Sequence, residues 1–513
     1  MSVGRALSVA LVGLAGHVVE VEADVTAGLP AFVLVGLPDA SLVESRDRVR
    51  AALRNARLAV PDRRVVVNLS PASLPKAGTG FDLGVAVALL AAQGSLRPAS
   101  AASAVHVGEL GLDGWLRPVR GVLPAVLAAA SAGVERVVVP AANAAEAALV
   151  PGVEVVGVEH LADVVRVHGG EDVPAPPRIP VTGHDAAGGG AASSPPDLAD
   201  VVGQAAARRA LEVAAAGGHH LLLLGPPGAG KSMLAARLPG VLPPLTEAEA
   251  VEVTAVHSVS GSFDPAAGLV RTPPFEAPHH TASAAAVLGG GSAVPSPGAV
   301  SRAHRGVLLL DEAPEFDRRV LEGMRQPLED GEIVLARARG TARFPARFQL
   351  VLTANPCPCG RDSGRGTSCR CTSVERRRYR ARLSGPLLDR VDLQVPVDPV
   401  SRTELAEAAG GESSAAVAAR VAAAREVALE RLRGTPWRCN GEVPGSHLRG
   451  PLRLPPRVTA SAHTSLERGD LTLRGLDRVL RAAWTLADLD GRDRPTADDV
   501  AAAEAWRLPW VAA

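Results

Sequence analysis

Lysine is almost missing from this chain: only Lys76 and Lys231 occur among 513 residues, and arginine carries the rest of the positive charge. Arginine's planar fork and lysine's compact ammonium are not interchangeable. Two lysines in Gly-flanked loops of an arginine-using chain therefore point to a need for their shape, with chance as the alternative. Aromatic residues make up 3%, too few for a platform on which nucleic-acid bases stack. The formal charge is zero, so there is no overall pull toward nucleic acid or anionic membranes, and such contacts are left to local patches. No apolar run is long enough to span a bilayer, because alanine and valine supply most of the hydrophobic content and Gly, Pro and Arg interrupt them. The five cysteines are not spread as in a disulfide-stapled secreted domain. Four lie within residues 357–371, which suits a metal site in a reducing compartment, and the cytoplasm is the expected location.

Residues 5–16, "RALSVALVGLAG", have the cation and short apolar run of a signal peptide. They continue into "VEVEADV", where apolar and acidic residues alternate as in a half-buried strand, so the N-terminus is read as folded.

The chain is long enough for roughly two to four domains. Residues 1–170 alternate Val-rich strands ("RVVVNLS", "ERVVVP") with Ala/Leu helices, an α/β pattern with its own core. Residues 171–196 are rich in Pro, Gly and Ser without hydrophobic period, as in a flexible linker. In 197–399 the apolar runs "HHLLLLG", "GVLLLDE" and "FQLVLTAN" alternate with helical segments, as a parallel sheet covered by helices requires. Residues 400–513 read as mostly helical, beginning with an alanine-rich segment that starts on a serine cap and ends at Gly434.

The chemistry concentrates in 197–399. "LLLLGPPGAGKSMLAARL" is a strand, a glycine-rich turn and an amphipathic helix, and it satisfies G-x-x-x-x-G-K-[ST]. In the loop Gly225, Pro226, Pro227, Gly228, Ala229, Gly230, Lys231 and Ser232, backbone N–H groups cradle phosphates, the lysine reaches the terminal ones and the serine hydroxyl holds Mg²⁺. "GVLLLDEAPEF" supplies the second acidic strand: Asp311 for Mg²⁺ and Glu312 to orient the attacking water. "FQLVLTANP" ends a further buried strand at Asn355, whose amide also suits that water. Arg390 and Arg474 are candidate cations for a transferring phosphate, with surface charge as the alternative reading. An arginine donated across a subunit boundary would demand a ring.

These motifs, together with "GLPAFVLVGLPDASLVESRDRVRAAL", "LPKAGTGFDLGVAVALLAA", "APHHTASAAAVLGGG", "RLSGPLLDRVDL" and "RVLRAAWTLADLDG", run in the order found in the ComM/YifB group of magnesium-chelatase-like AAA+ ATPases, which the chain resembles over nearly its whole length. The resemblance implies an α/β fold in three parts: an N-terminal Lon-protease-like domain of the ribosomal S5 type, a central AAA+ P-loop module with inserted hairpins, and a C-terminal helical lid. It implies ATP and Mg²⁺ as cofactors, a homohexamer, and DNA as partner, moved by ATP hydrolysis during branch migration. It assigns Asn355 to sensor 1, Arg390 to the arginine finger, with nearby Arg382 as a rival, and Arg474 to sensor 2. A chelatase-type remodeller, acting on a protein that inserts metal into a tetrapyrrole, is the alternative.

The Lon-like resemblance raises proteolysis, which needs a serine activated by a lysine. On the Lon pattern Gly80 stands at the nucleophile and Leu123 at the lysine, and neither can do the chemistry. Lys76 precedes the nucleophile position and is not its base. The domain is expected to serve assembly or grip.

Between Arg337 and Arg382 lie twelve arginines and two acids, Asp362 and Glu375. A solvated face is one reading. The other is a β-hairpin over 333–348, with Gly340 at its turn, which the resemblance aims into a ring pore where arginines track phosphates without reading bases. Cys357, Cys359, Cys369 and Cys371 offer four thiolates, enough for a closed structural zinc site, with free thiols as the alternative because C-x-C is tighter than the usual spacing. His279 and His280 lack further ligands nearby and read as structural, and Cys439 as an isolated thiol.

Overall fold

The structure, a computed structural model, describes residues 3–507 except 37–38, 77, 172, 176–194, 292–294, 338–339, 363–368 and 402–410. Most of the expected linker therefore lies outside the described residues. Residues 5–16, the signal-peptide look-alike, form β1 (Gly4–Val12) and its turn into β2 (Ala15–Thr26), paired antiparallel from Gly4↔Ala23 to Val12↔Ala15. In β2 buried residues alternate with partly buried ones, as the apolar/acidic pattern requires of a strand with one covered face. With β3 (Ala31–Val35), β4 (Arg64–Ser70), β5 (Ala104–His106), β8 (Arg136–Pro140) and β9 (Glu154–Val158) they make a seven-stranded sheet in the order β3-β4-β2-β1-β5-β8-β9. A small hairpin, β6 (Glu109–Leu110) and β7 (Leu116–Arg117), stands beside it. The helix Asp82–Ala92 is buried from Asp82 to Ala91, so its pattern is apolar nearly all round rather than striped.

The second sheet is β10 (Leu221–Leu224), β11 (Phe275–Glu276), β14 (Val307–Leu310), β17 (Gln349–Ala354) and β18 (Leu393–Pro396), in the order β11-β14-β17-β10-β18 and parallel at every pairing. Four consecutive leucines suit β10 because helices cover both faces of a parallel sheet. A short ribbon, β12 (Gly289–Gly290) with β13 (Ser296–Pro297), and a hairpin, β15 (Glu332–Arg337) with β16 (Gly340–Pro345), leave this sheet as excursions. Gly340, expected at the turn, pairs with Arg337 as the first residue of β16, and the residues between them lie outside the described ones. The helices Ser414–Arg431, Leu473–Leu489 and Ala497–Ala505 share one core with β10 and β18. Ser413 caps the first of them as expected, but it ends at Arg431, short of Gly434. Among the described residues, no helix is long and apolar enough to cross a membrane.

The two sheets are joined by the helix Glu247–Ser260, which belongs in sequence to the second part and yet places Ala255 in the core of the first, against the helix Val122–Ser131. Across this seam the buried Glu146 carboxylate accepts from the Leu123 amide at 2.9 Å and from the Ser258 hydroxyl, and the Gly121 amide donates to Ser258 O at 3.3 Å.

Candidate nucleotide-binding site

Parallel pairing of β10 with β17 puts Leu224 beside Ala354, and the Gly225 amide continues that ladder with a 3.2 Å bond to Ala354 O. A side chain at Gly225 would begin 2.1 Å from Val397 O, so only glycine lets the chain leave the strand here. Gly228 and Gly230 hold φ of 78° and 90°, the left-handed turns that direct successive amides into one concavity. The helix Lys231–Ala235 follows, and Lys231, 8% exposed, donates from Nζ to Gly225 O (2.7 Å), Pro226 O (2.9 Å) and Asn355 Oδ1 (3.1 Å). Burial lowers its pKa, opposed by the charges of Asp311 and Glu312.

Asp311 and Glu312 follow the last residue of β14. Asp311 Oδ1 accepts from Ser232 Oγ at 2.8 Å and from Thr353 Oγ1 at 2.6 Å, and Thr353 Oγ1 in turn accepts the Glu312 amide at 2.8 Å. Glu312 has φ of 54°, a left-handed conformation costing a non-glycine residue about 1–3 kcal/mol and characteristic of functional sites. Sequence reading missed Thr353, although a hydroxyl inside the apolar run of β17 was its signal. His280, read from the sequence as structural, has its Nδ1 3.8 Å from Glu312 Oε2. Gly225 to Ser232, Asp311, Glu312 and Asn355 thus form one contiguous site. The donor set fits a Mg²⁺-nucleotide: an ammonium and a ring of amides for phosphate, and one hydroxyl and one carboxylate for a hard cation.

The four cysteines lie directly behind it. Cys357 is buried two residues beyond Asn355, and its Sγ is 3.4 Å from Cys359 Sγ and 3.7 Å from Cys369 Sγ. All four sulfurs lie within 4.8 Å of one another. The Tyr379 phenol, hydrogen-bonded to the Asn355 backbone, closes the other side, and burial pushes its pKa up to about 12.

Arg390 and Arg474 occupy a second cluster. Arg390 is buried, donates to Pro386 O at 2.6 Å and forms an ion pair with Glu329, while its Nε is without a partner among the described residues. Burial, then Arg474, Arg325 and Arg478, lower its pKa. Among the described residues neither arginine makes a hydrogen bond or ion pair to the Lys231 network. Arg382 instead reaches Pro314 O (2.9 Å) and Glu315 (2.7 Å), just past Glu312 in the same chain.

The β15–β16 hairpin buries Ile333, Leu335, Ala342 and Phe344 against Leu14, Val259 and Leu288, so the turn between β1 and β2 supports it. A side chain at Gly13 would begin 2.4 Å from Arg343 O. In the N-terminal part, the Gly80 carbonyl accepts the Gly108 amide, the Leu123 amide donates to Glu146, and Lys76 Nζ is engaged by the carbonyls of Leu69 (3.1 Å) and Pro71.

Three family models match in succession: subunit ChlI of Mg-chelatase over 21–143, magnesium chelatase subunit ChlI over 197–405, and the ChlI C-terminal region over 411–507. The chain is 52% identical to an uncharacterized protein of Mycobacterium tuberculosis, with 99% of each chain covered. It is 40% identical to competence protein ComM of Haemophilus influenzae (96% of this chain, 95% of the relative) and 39% identical to YifB of Escherichia coli (97% and 96%). A 143-residue stretch is 35% identical to Lon protease 1 of Sorangium cellulosum, covering 26% of this chain and 17% of the protease.

Proposed function

The chain belongs to the ComM/YifB group of magnesium-chelatase-like AAA+ ATPases, and we propose that it is an ATP-driven motor on DNA that works as a homohexameric ring and extends branch migration when incoming DNA recombines. When bound, Mg²⁺-ATP supplies the phosphoanhydride whose cleavage drives movement. Lys231 and the amides of the loop bind the phosphates, while Ser232 and Asp311 would hold the cation. Glu312, fixed through Thr353, aims its carboxylate at a water, and Asn355 helps place that water. Arg390 and Arg474 contribute positive charge at the seam between protomers.

The observation that carries the DNA reading is continuity: only residues 346–348 separate β16 from β17, and Asn355 directly follows the last residue of β17. A three-residue connection therefore joins the arginine-bearing hairpin to the strand that leads into the nucleotide site, so that movement of one is passed to the other. Arginines on a hairpin grip phosphates without reading bases.

The test is ATP turnover with and without forked or single-stranded DNA, alongside negative-stain imaging, for wild type, Lys231→Ala and a variant with alanine at the arginines from Arg337 to Arg347. A DNA motor is stimulated by DNA, and the arginine-free hairpin loses that stimulation while keeping basal turnover. A chelatase-type remodeller ignores DNA and responds to a protein subunit.

A further inference from the structure

The cysteine cluster is built as a metal site. We propose that Cys357, Cys359, Cys369 and Cys371 bind one Zn²⁺ as thiolates, and that the metal locks the cysteine loop against Pro227 and Asn355 so that the nucleotide site depends on it. The second half of this proposal rests on the nucleotide reading above, and the first does not.

Zinc–sulfur bonds of about 2.3 Å in a tetrahedron place sulfurs about 3.8 Å apart. The separations among Cys357, Cys359 and Cys369 are 3.4, 3.7 and 3.7 Å, and all four sulfurs stay within 4.8 Å of one another. A cage of that size admits one ion and is too small for an iron–sulfur cluster, whose ligands are spread around several metals. With four protein ligands no position is left open, so the metal is structural.

The surroundings serve the sulfurs as acceptors. Backbone amides of Arg361 and Arg370 point at Cys359 Sγ, that of Cys371 at Cys369 Sγ, and that of Cys359 at Cys371 Sγ. Such outer contacts hold ligands to a metal and spread their charge. Gly360 turns the chain with φ of 72°, and its amide closes a 2.9 Å bond to Cys357 O. Zinc with four thiolates carries two net negative charges, and Arg376, held at 3.1 Å by Asp362, faces Cys369 and Cys357 to offset them.

The link to the nucleotide site is a close contact. A side chain at Gly360 would begin 2.5 Å from Pro227 Cδ, so the cysteine loop is packed directly on the phosphate-binding loop. Without a metal, the short C-x-C segments and their Gly/Arg-rich connection have few apolar groups to hold this shape, and zinc binding becomes folding free energy.

The experiment measures metal by mass spectrometry on full-length protein purified without chelator, with thiols titrated in parallel. One zinc per chain is expected, falling below a tenth in Cys369→Ser and Cys371→Ser. Stoichiometric iron, a disulfide, or four freely titrating thiols without metal would overturn the site. The coupling is read from binding of a fluorescent ATP analogue before and after zinc is stripped from wild type by an organomercurial, which avoids variants that fail to fold. A loss of tenfold or more is expected on stripping, and a similar loss in Gly360→Ala with zinc retained. Unchanged affinity in both overturns the coupling and leaves the zinc standing. If untreated wild type binds no nucleotide, the nucleotide reading itself falls, and with it the coupling.

Discussion

Lys231 and Asn355, 124 residues apart in sequence, meet through a 3.1 Å hydrogen bond from Nζ to Oδ1. They meet because β10 and β17 are adjacent parallel strands whose ends stand level, Leu224 beside Ala354. The lysine expected to bind phosphate and the amide expected to place the attacking water are therefore set by one strand pairing. Lys231→Ala is expected to lower turnover by about 10²-fold or more through loss of charge at the phosphates. Asn355→Ala should lower kcat about tenfold or more with nucleotide affinity within about threefold, since it acts in the chemical step. Phosphate-release kinetics and analogue binding separate the two.

Glu312→Gln keeps size and hydrogen bonding but loses the basic oxygen. Nucleotide binding is expected to persist while turnover falls by about 10²- to 10⁴-fold. Thr353→Val leaves Asp311 without one donor and the Glu312 amide without its acceptor, at a cost of about 1–3 kcal/mol. Its Mg²⁺ titration should shift to higher concentration, whereas an unchanged titration would mean that Thr353 does not orient Asp311.

Arg390, paired with Glu329 off its own nucleotide site, is expected to act on a neighbour. Arg390→Ala should reduce turnover by about 10³- to 10⁵-fold, the range for a finger supplied in trans. Mixing it with the equally inactive Lys231→Ala should recover activity, because some seams then join an intact loop to an intact arginine. Failure of the mixture to recover any turnover would place Arg390 in its own protomer's site.

DNA affinity should fall with salt by about 0.9 log units per log unit of salt for each phosphate contacted on duplex. Arg343→Ala and Arg347→Ala should flatten that slope and weaken all sequences alike. Phe344→Ala removes a fully buried ring that seats the hairpin on Leu14 and Val259, and should lower DNA stimulation without removing any charge. Filter binding at several salt concentrations and thermal melting test these together.

Acid should destabilise the fold from about pH 6.5 downward. Burial, and then each other's or neighbouring charge, lower His106 to about 3 and His168 to about 4, and burial lowers His219 and His220 to about 4. These rings stay neutral in the folded chain and take protons when unfolded, so stability is lost as pH falls from about 6.5 toward 4. Asp392, buried among Arg478, His219 and His220 and held well below the usual carboxylate range, acts in the same direction at lower pH. Melting temperature should decline steadily between pH 7 and 5, and a flat profile would show that these histidines do not remain neutral in the fold.

Residue order alone determined the phosphate loop, the acidic strand end, Asn355 and the four thiols, because each of these functions needs a residue type at a fixed short spacing on one strand or turn. It determined the helical C-terminal region and the parallel sheet for the same local reason, hydrophobic period and turn chemistry. What only the tertiary structure decided are contacts between distant segments: Thr353 joining Asp311 to Glu312, Gly360 seated on Pro227, Arg390 turned to Glu329, and the β1–β2 turn supporting the arginine hairpin. Strand order and packing put those partners together, and neither leaves a signature within a dozen residues of sequence.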